Sequence, residues 1–168
     1  MNKSGMVNID KVAERAAAAA IKMLRDEEKA KRKKVVLRNT ELLLRNYNLF
    51  KKYLNIARHG LKLNTEELDI DDRDERVFVL AILRSKARTV IMLTNIDVAM
   101  EELKAEMVKK EQRYKFDVVK ALYLDSKTYE VVAEELNCSE ASVRRWKNEM
   151  VDELGIMLFG VDGLKLEV

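Results

Sequence analysis

From Val36 to Leu61 a side chain facing one direction returns every three or four residues. The members are Val36, Thr40, Leu43, Tyr47, Phe50, Leu54, Ala57 and Leu61, with Thr40 the polar one. A second run keeps the same step through Leu83, Ala87, Val90, Leu93, Ile96, Met100, Leu103 and Met107. That step is the period of one face of an α-helix. The 168 residues contain no proline and only five glycines, so strong helix breakers are scarce. Two long helices with such stripes can bury them against each other. The expected fold is all-α, a long amino-terminal helical hairpin followed by a compact three-helix helix-turn-helix domain. The hairpin would join helices ending at Gly60 and starting near Asp74, with a turn at Asn64–Glu67 and an acidic connection over Asp69–Glu75.

An earlier helix should open near Asn8–Asp10 and carry a weak stripe of Val12, Ala16, Ala19 and Met23. From Arg25 to Lys34 the only apolar residue is Ala30, which suits a solvated helix or a frayed joint. After Lys110 the pattern shortens. Tyr114 to Tyr123, Thr128 to Leu136 and Ser139 to about Leu154 read as three short helices, with turns at Asp125-Ser126-Lys127 and Asn137-Cys138. The chain thus divides into 1–110, a long-helix interaction or oligomerisation region; 111–155, the helix-turn-helix domain; and 156–168, a short tail.

Composition narrows the function. Apolar residues make up 48% of the chain and charged ones 36%, which excludes a disordered chain. One cysteine excludes a disulfide framework and a cysteine-rich zinc site. No stretch is apolar enough for a membrane span, and no signal-peptide layout is seen, so a cytoplasmic setting is expected. The net charge of +3 is unevenly spread: +9 over residues 1–60, −2 over 61–110 and −4 over 111–168. A basic front half points to an anionic partner, nucleic acid first. Lys29 to Lys34 form its densest part, and Lys31, Arg32, Lys33 and Lys34 are candidates for phosphate or partner contact. They also suit an ordinary solvated helix.

Residues 129–148 meet the local demands of a helix-turn-helix. The fifth position must be small and is Ala133. The apolar core positions are Val132, Leu136, Cys138, Val143 and Trp146. The turn position that needs a left-handed backbone carries Asn137, the residue most tolerant of it after glycine. Ser139 stands where an N-cap should open the second helix. In such a motif the front of the second helix enters the major groove. Its outward residues are Ser139, Glu140, Ala141, Ser142, Arg144, Arg145, Lys147 and Asn148. Arginine can bind guanine edges or phosphates and asparagine can read adenine. Ser139, Ser142 and Lys147 suit phosphates, and Lys127 and Thr128 would clamp the backbone from the supporting helix. The competing reading is a solvated helical face. An acidic domain binds DNA weakly alone, so either the basic front half adds contacts or another protein delivers it. Glu130, Glu134 and Glu135 would then face a basic partner, or simply keep their helix soluble.

Three segments carry a family resemblance: RNTELLLRNYNLFKKYL (38–54), LRSKARTVIMLTNIDVAMEEL (83–103) and YKFDVVKALYLDSKTYEVVAEELNCSEASVRRWKNEMVDELGIMLFGVDGL (114–164). Together they resemble the ArpU/RinA group of phage-encoded transcriptional regulators, small helical proteins that switch on late operons. The carboxy-terminal part of that group is similar to the promoter −35 binding region of sigma factors. The sigma-like pattern falls on Thr128, Val132, Ala133, Leu136, Ser139, Ser142, Val143 and Arg145. The resemblance implies promoter DNA and bacterial RNA polymerase as partners, activation of late genes, and a cytoplasmic, nucleoid-associated location. It also implies that Ser142, Arg144 and Arg145 meet DNA. A homodimer through the long helices is a further use of the front half. A DNA-packaging adaptor resembling a small terminase subunit, or a structural helical interaction protein, remains the alternative.

No catalytic constellation stands out. His59 is the single histidine, and the glycines form no phosphate loop. Residues 69–75 lack the glycine and terminal Glu of a calcium loop. The expectation is a non-enzyme with no cofactor and no metal.

Overall fold

The computed structural model describes residues 9–58 and 70–160. The described residues form seven helices and no strand, so the protein is all-α. The helices are α1 (Ile9–Arg45), α2 (Tyr47–Arg58), α3 (Arg73–Leu83), α4 (Lys86–Lys109), α5 (Arg113–Val119), α6 (Tyr129–Glu135) and α7 (Glu140–Phe159). A π-helical turn, Lys120–Leu124, extends α5. His59, the stop at Gly60, Leu61, the turn at 64–67 and the tail from 161 lie outside the described residues.

The amino-terminal half is four helices where the periodicity predicts a first helix, continuous or frayed through 25–34, and two long ones. The weak first stripe and the seam from Val36 join into α1, and the seam is interrupted once, at Asn46. The Asn46 amide donates to Leu42 O at 2.9 Å and to Glu75 Oε1 at 3.2 Å. A side chain that bonds the preceding turn competes with the helix's own ladder. The second predicted helix is broken at Arg84–Ser85. Ser85 is an N-cap whose Oγ accepts from the Arg88 N–H at 3.4 Å. The break shifts the helical phase of the next few residues. Ala87 and Val90, expected on the buried stripe, are exposed. Thr89 is buried instead, its Oγ1 bonded to Ile82 O and Ser85 O. From Leu93 to Met107 the predicted stripe is buried throughout. The acidic connection has a local purpose. Asp72 caps α3 by accepting from Glu75 N at 2.8 Å, which holds its carboxyl below the usual range. Arg38 lies 3.6 Å from both Asp72 and Asp74.

The two predicted stripes meet where α2 packs on α4, while the long α1 takes a different partner. α2 packs on α4, its Tyr47 hydroxyl donating to Asp97 Oδ1 at 2.5 Å. α1 packs on α7, the last helix. One apolar core gathers Leu43, Phe50, Val79, Leu103, Phe116 and Leu154, among others, so it draws on both sides of residue 110. A smaller cluster holds Val118, Ala121, Val132, Ala133 and Val143. α5 supplies both, Phe116 and Val119 to the large core and Val118 to the small one. α7 does the same along its length: Val143 enters the small cluster, while Met150, Val151, Leu154 and Phe159 enter the large one. Residues 156–159, expected in a separate tail, are therefore the last turn of α7.

Gly155 sets the approach of α1 to α7. A Cβ there would lie 3.1 Å from Val36 Cγ1 and 3.2 Å from Thr40 Oγ1. Thr40 is fully buried and donates to Val36 O at 2.9 Å, so it has little room to move. Gly155→Ala gains roughly 1 kcal/mol of helix propensity but meets an overpacking cost of about 1–3 kcal/mol. A net loss of about 1 kcal/mol is expected, read as a drop of about 2–4 °C in melting temperature.

Two tyrosines make the protein lose stability at alkaline pH. Tyr123 is pushed well up from its ordinary value near 10 by burial, then by the neighbouring Glu41 carboxylate. Tyr47 is raised by burial and by its bond to Asp97. Raised folded-state values favour the neutral phenols. Their contribution is complete below about pH 10 and is lost as pH rises through the folded values, because the unfolded chain ionises first. Melting temperature should fall from pH 9 to pH 11, and Tyr123→Phe should make that fall shallower.

Candidate nucleic-acid interface

The site is built on α6 and α7. Thr128 caps α6, its Oγ1 accepting from Val131 N at 3.3 Å. The chain leaves α6 through Asn137, which is left-handed at φ 49°. The Asn137 N–H donates to Glu134 O at 3.1 Å and the Cys138 N–H to Ala133 O at 2.9 Å, closing the helix end. Ser139 then caps α7, with its Oγ accepting from Ser142 N at 3.2 Å and lying 3.1 Å from Ser142 Oγ. The six positions assigned to the motif's core come together: Val132, Ala133 and Val143 are buried, with Leu136, Cys138 and Trp146 packed against them. Trp146 is half-buried and meets Tyr114 edge-on, ring centroids 4.7 Å apart at 65°.

Along the outward face, Ser139, Glu140, Ala141, Arg144, Arg145 and Asn148 are exposed, and Ser142 is half-buried. Arg144 is engaged on two sides. Its guanidinium lies 4.2 Å from the centre of the Tyr129 ring and 3.0 Å from Glu140 Oε2. Arg145 and Asn148 have no hydrogen-bond or ion-pair partner among the described residues. Lys127 pairs with Glu135 at 2.6 Å, so only part of its charge is offered to a ligand.

Lys147 leaves the predicted set. Its side chain is only 12% exposed, and its ammonium sits 2.5 Å from Glu41 Oε1 on α1. A lysine turned into the α1–α7 contact and already neutralised is not placed for a phosphate. Its role is structural, and Glu41 also accepts from the Tyr123 hydroxyl at 3.4 Å. Glu41 lies 106 residues from Lys147 along the chain, and no sequence pattern links them.

The basic run does not join this face. Lys31 and Arg32 pair with Glu27 and Glu28 one turn earlier on α1. Lys33 reaches Asp152 at 3.3 Å, and Lys34 is exposed. α1 and α7 are antiparallel: Lys147 meets Glu41, whereas Gly155 lies against Thr40 and Val36. Asp152 follows Ser139 by about 20 Å of helix at 1.5 Å per residue, so Lys33 stands beside the far half of α7. Glu130 and Glu134 on α6 are exposed.

Two residues of the face are not found from sequence. Tyr129 opens α6, and nothing in its spacing predicts the stack on Arg144 across the turn. Tyr114 reads only as a stripe member. Comparison with protein-family models, with curated proteins and with solved structures returns no match. No helix of the described residues is long and apolar enough to cross a membrane.

Proposed function

We propose that this chain is a DNA-binding transcriptional regulator that reads promoter DNA through α7. The carrying observation is the outward row on a doubly capped helix pair: Ser139, Ser142, Arg145 and Asn148 flank one face, above the six apolar positions such a pair requires. Arginine and asparagine side chains standing free at the front of a helix suit guanine and adenine edges. The ArpU/RinA resemblance extends this reading to activation of phage or prophage late genes in concert with RNA polymerase. The local charge supports that extension. Residues 111–168 carry −4, and the basic run is partly neutralised and lies along the other half of α7. Phosphate neutralisation supplies most non-specific affinity, so this domain gains from delivery by a larger basic assembly.

A homodimer reading attaches to α1, where Ile21, Met23 and Leu24 are exposed. Light scattering tests it, with a monomer mass at micromolar concentration ruling it out.

The function is tested by titrating the protein onto duplex DNA from upstream of phage packaging genes, at two salt concentrations, with and without RNA polymerase core enzyme. Selective binding in the presence of core enzyme is the expected result. Absence of selective binding in every condition rejects the reading.

A further inference from the structure

We propose that Tyr129 is a positioning residue for DNA binding: it holds Arg144 against α6 as a phosphate clamp and leaves base reading to Arg145. This rests on the reading of α7 as a DNA-binding helix. Three observations carry it. The Arg144 guanidinium lies 4.2 Å from the Tyr129 ring centre, at cation–π distance. The Glu140 carboxylate, one turn earlier on α7, holds the same guanidinium at 3.0 Å. The Tyr129 ring is itself fixed, because it packs against the small cluster and follows the Thr128 cap. A long side chain that would otherwise sample many rotamers is thereby set in one direction before any ligand arrives.

That direction decides its partner. Arg144 touches the first residue of α6, the supporting helix, and in helix-turn-helix docking the supporting helix crosses the phosphate backbone. Arg145 follows by about 100° of helical turn and is exposed, with no partner among the described residues. It is the arginine free to enter the groove.

The test uses the full chain and a fluorescent mixed-sequence 30-base-pair duplex over a range of salt. The variants are Tyr129→Phe, Tyr129→Leu, Tyr129→Met, Arg144→Ala and the double variant Tyr129→Leu with Arg144→Ala. Helicity and melting are recorded for each, and Tyr129→Met keeps a long apolar chain should leucine loosen the small cluster. Tyr129→Leu or Tyr129→Met should weaken binding about as much as Arg144→Ala, roughly five- to tenfold, and lower the salt slope by about 1, the loss of one phosphate contact. Tyr129→Phe, which keeps the ring face, should bind as the wild type does. The double variant should bind no worse than Arg144→Ala alone. In the free protein, the Arg144 δ-protons should show a ring-current shift that survives Tyr129→Phe and vanishes in Tyr129→Leu. Folded leucine and methionine variants with wild-type affinity and slope overturn the proposal, as does an additive double variant. The same titrations are run with RNA polymerase core enzyme on promoter DNA, and a wild-type protein that binds neither duplex, alone or with core enzyme, overturns the DNA reading itself, and this inference with it.

Discussion

Leu154→Ala is expected to lose about 2–5 kcal/mol of stability, the range for deleting most of a buried leucine. Leu154 is wholly buried, on α7, a helix that packs against α1, α4 and α5. The loss should not stay within the carboxy-terminal part. α7 carries Val143 in the small cluster and Met150, Val151, Leu154 and Phe159 in the large one. A helix that belongs to both transmits the loss to both. One cooperative transition at lower temperature is expected by circular dichroism, with near-ultraviolet signals from Trp146 and the tyrosines lost together. Two separated transitions, with the Trp146 signal surviving to the wild-type temperature, would mean that the small cluster stands alone. The fragment 111–160 makes the same point from the other side. It keeps Phe116, Val119, Met150, Val151, Leu154 and Phe159 but removes α1 to α4, against which they pack, and should be poorly folded.

The second large effect falls on function with little effect on stability. Replacing Arg144 and Arg145 together by alanine should remove detectable promoter binding under conditions where the wild-type protein binds. A bidentate arginine–base pair discriminates by about 1–3 kcal/mol, and a lost phosphate contact adds to that. Both side chains are exposed, and alanine is the strongest helix former. The folded state loses only the exposed Arg144–Glu140 pair and the stack on Tyr129, together about 1 kcal/mol or less. Melting temperature should move by no more than a few degrees while binding disappears. A folded double variant that binds and activates like the wild type would sink the assignment of this face. Arg145→Ala alone should relax sequence preference, and Arg144→Ala alone should weaken binding to all sequences alike.

The helical class was legible because its signal is repeated: apolar residues at a step of three and four over tens of positions leave no other period. The helix ends that were legible were those with chemistry of their own. Thr128, Asn137 and Ser139 each stand at the position expected of them. The interruption at Asn46 was hidden because asparagine in a helix is tolerated until a distant partner, here the half-buried Glu75, gives its amide a second bond. The break at Ser85 was hidden because Ala87 and Val90 continue the apparent stripe, and two exposed apolar side chains cost too little to forbid a change of phase. Lys147 was misplaced for a different reason. Its position on α7 is that of an outward residue, but α1 covers that side of the helix, and which helix covers which is a property of tertiary packing. The pairing of α1 with α7 rather than α4 belongs to the same category. Stripes say that a face is covered and do not say by what.

The antiparallel course of α1 along α7 also fixes a reach. α7 spans about 30 Å from Glu140 to Phe159, and the part of α1 before Arg25 adds about 24 Å, at 1.5 Å per residue. The groove between the two helices is lined by Arg25 at one extreme and by Gly160 at the end of α7. Added end to end, these two lengths come to about 54 Å, the most that can separate the first turn of α1 from the first turn of α7. That upper bound is more than twice the width of a DNA duplex, and the segments that set it are helix rather than flexible chain.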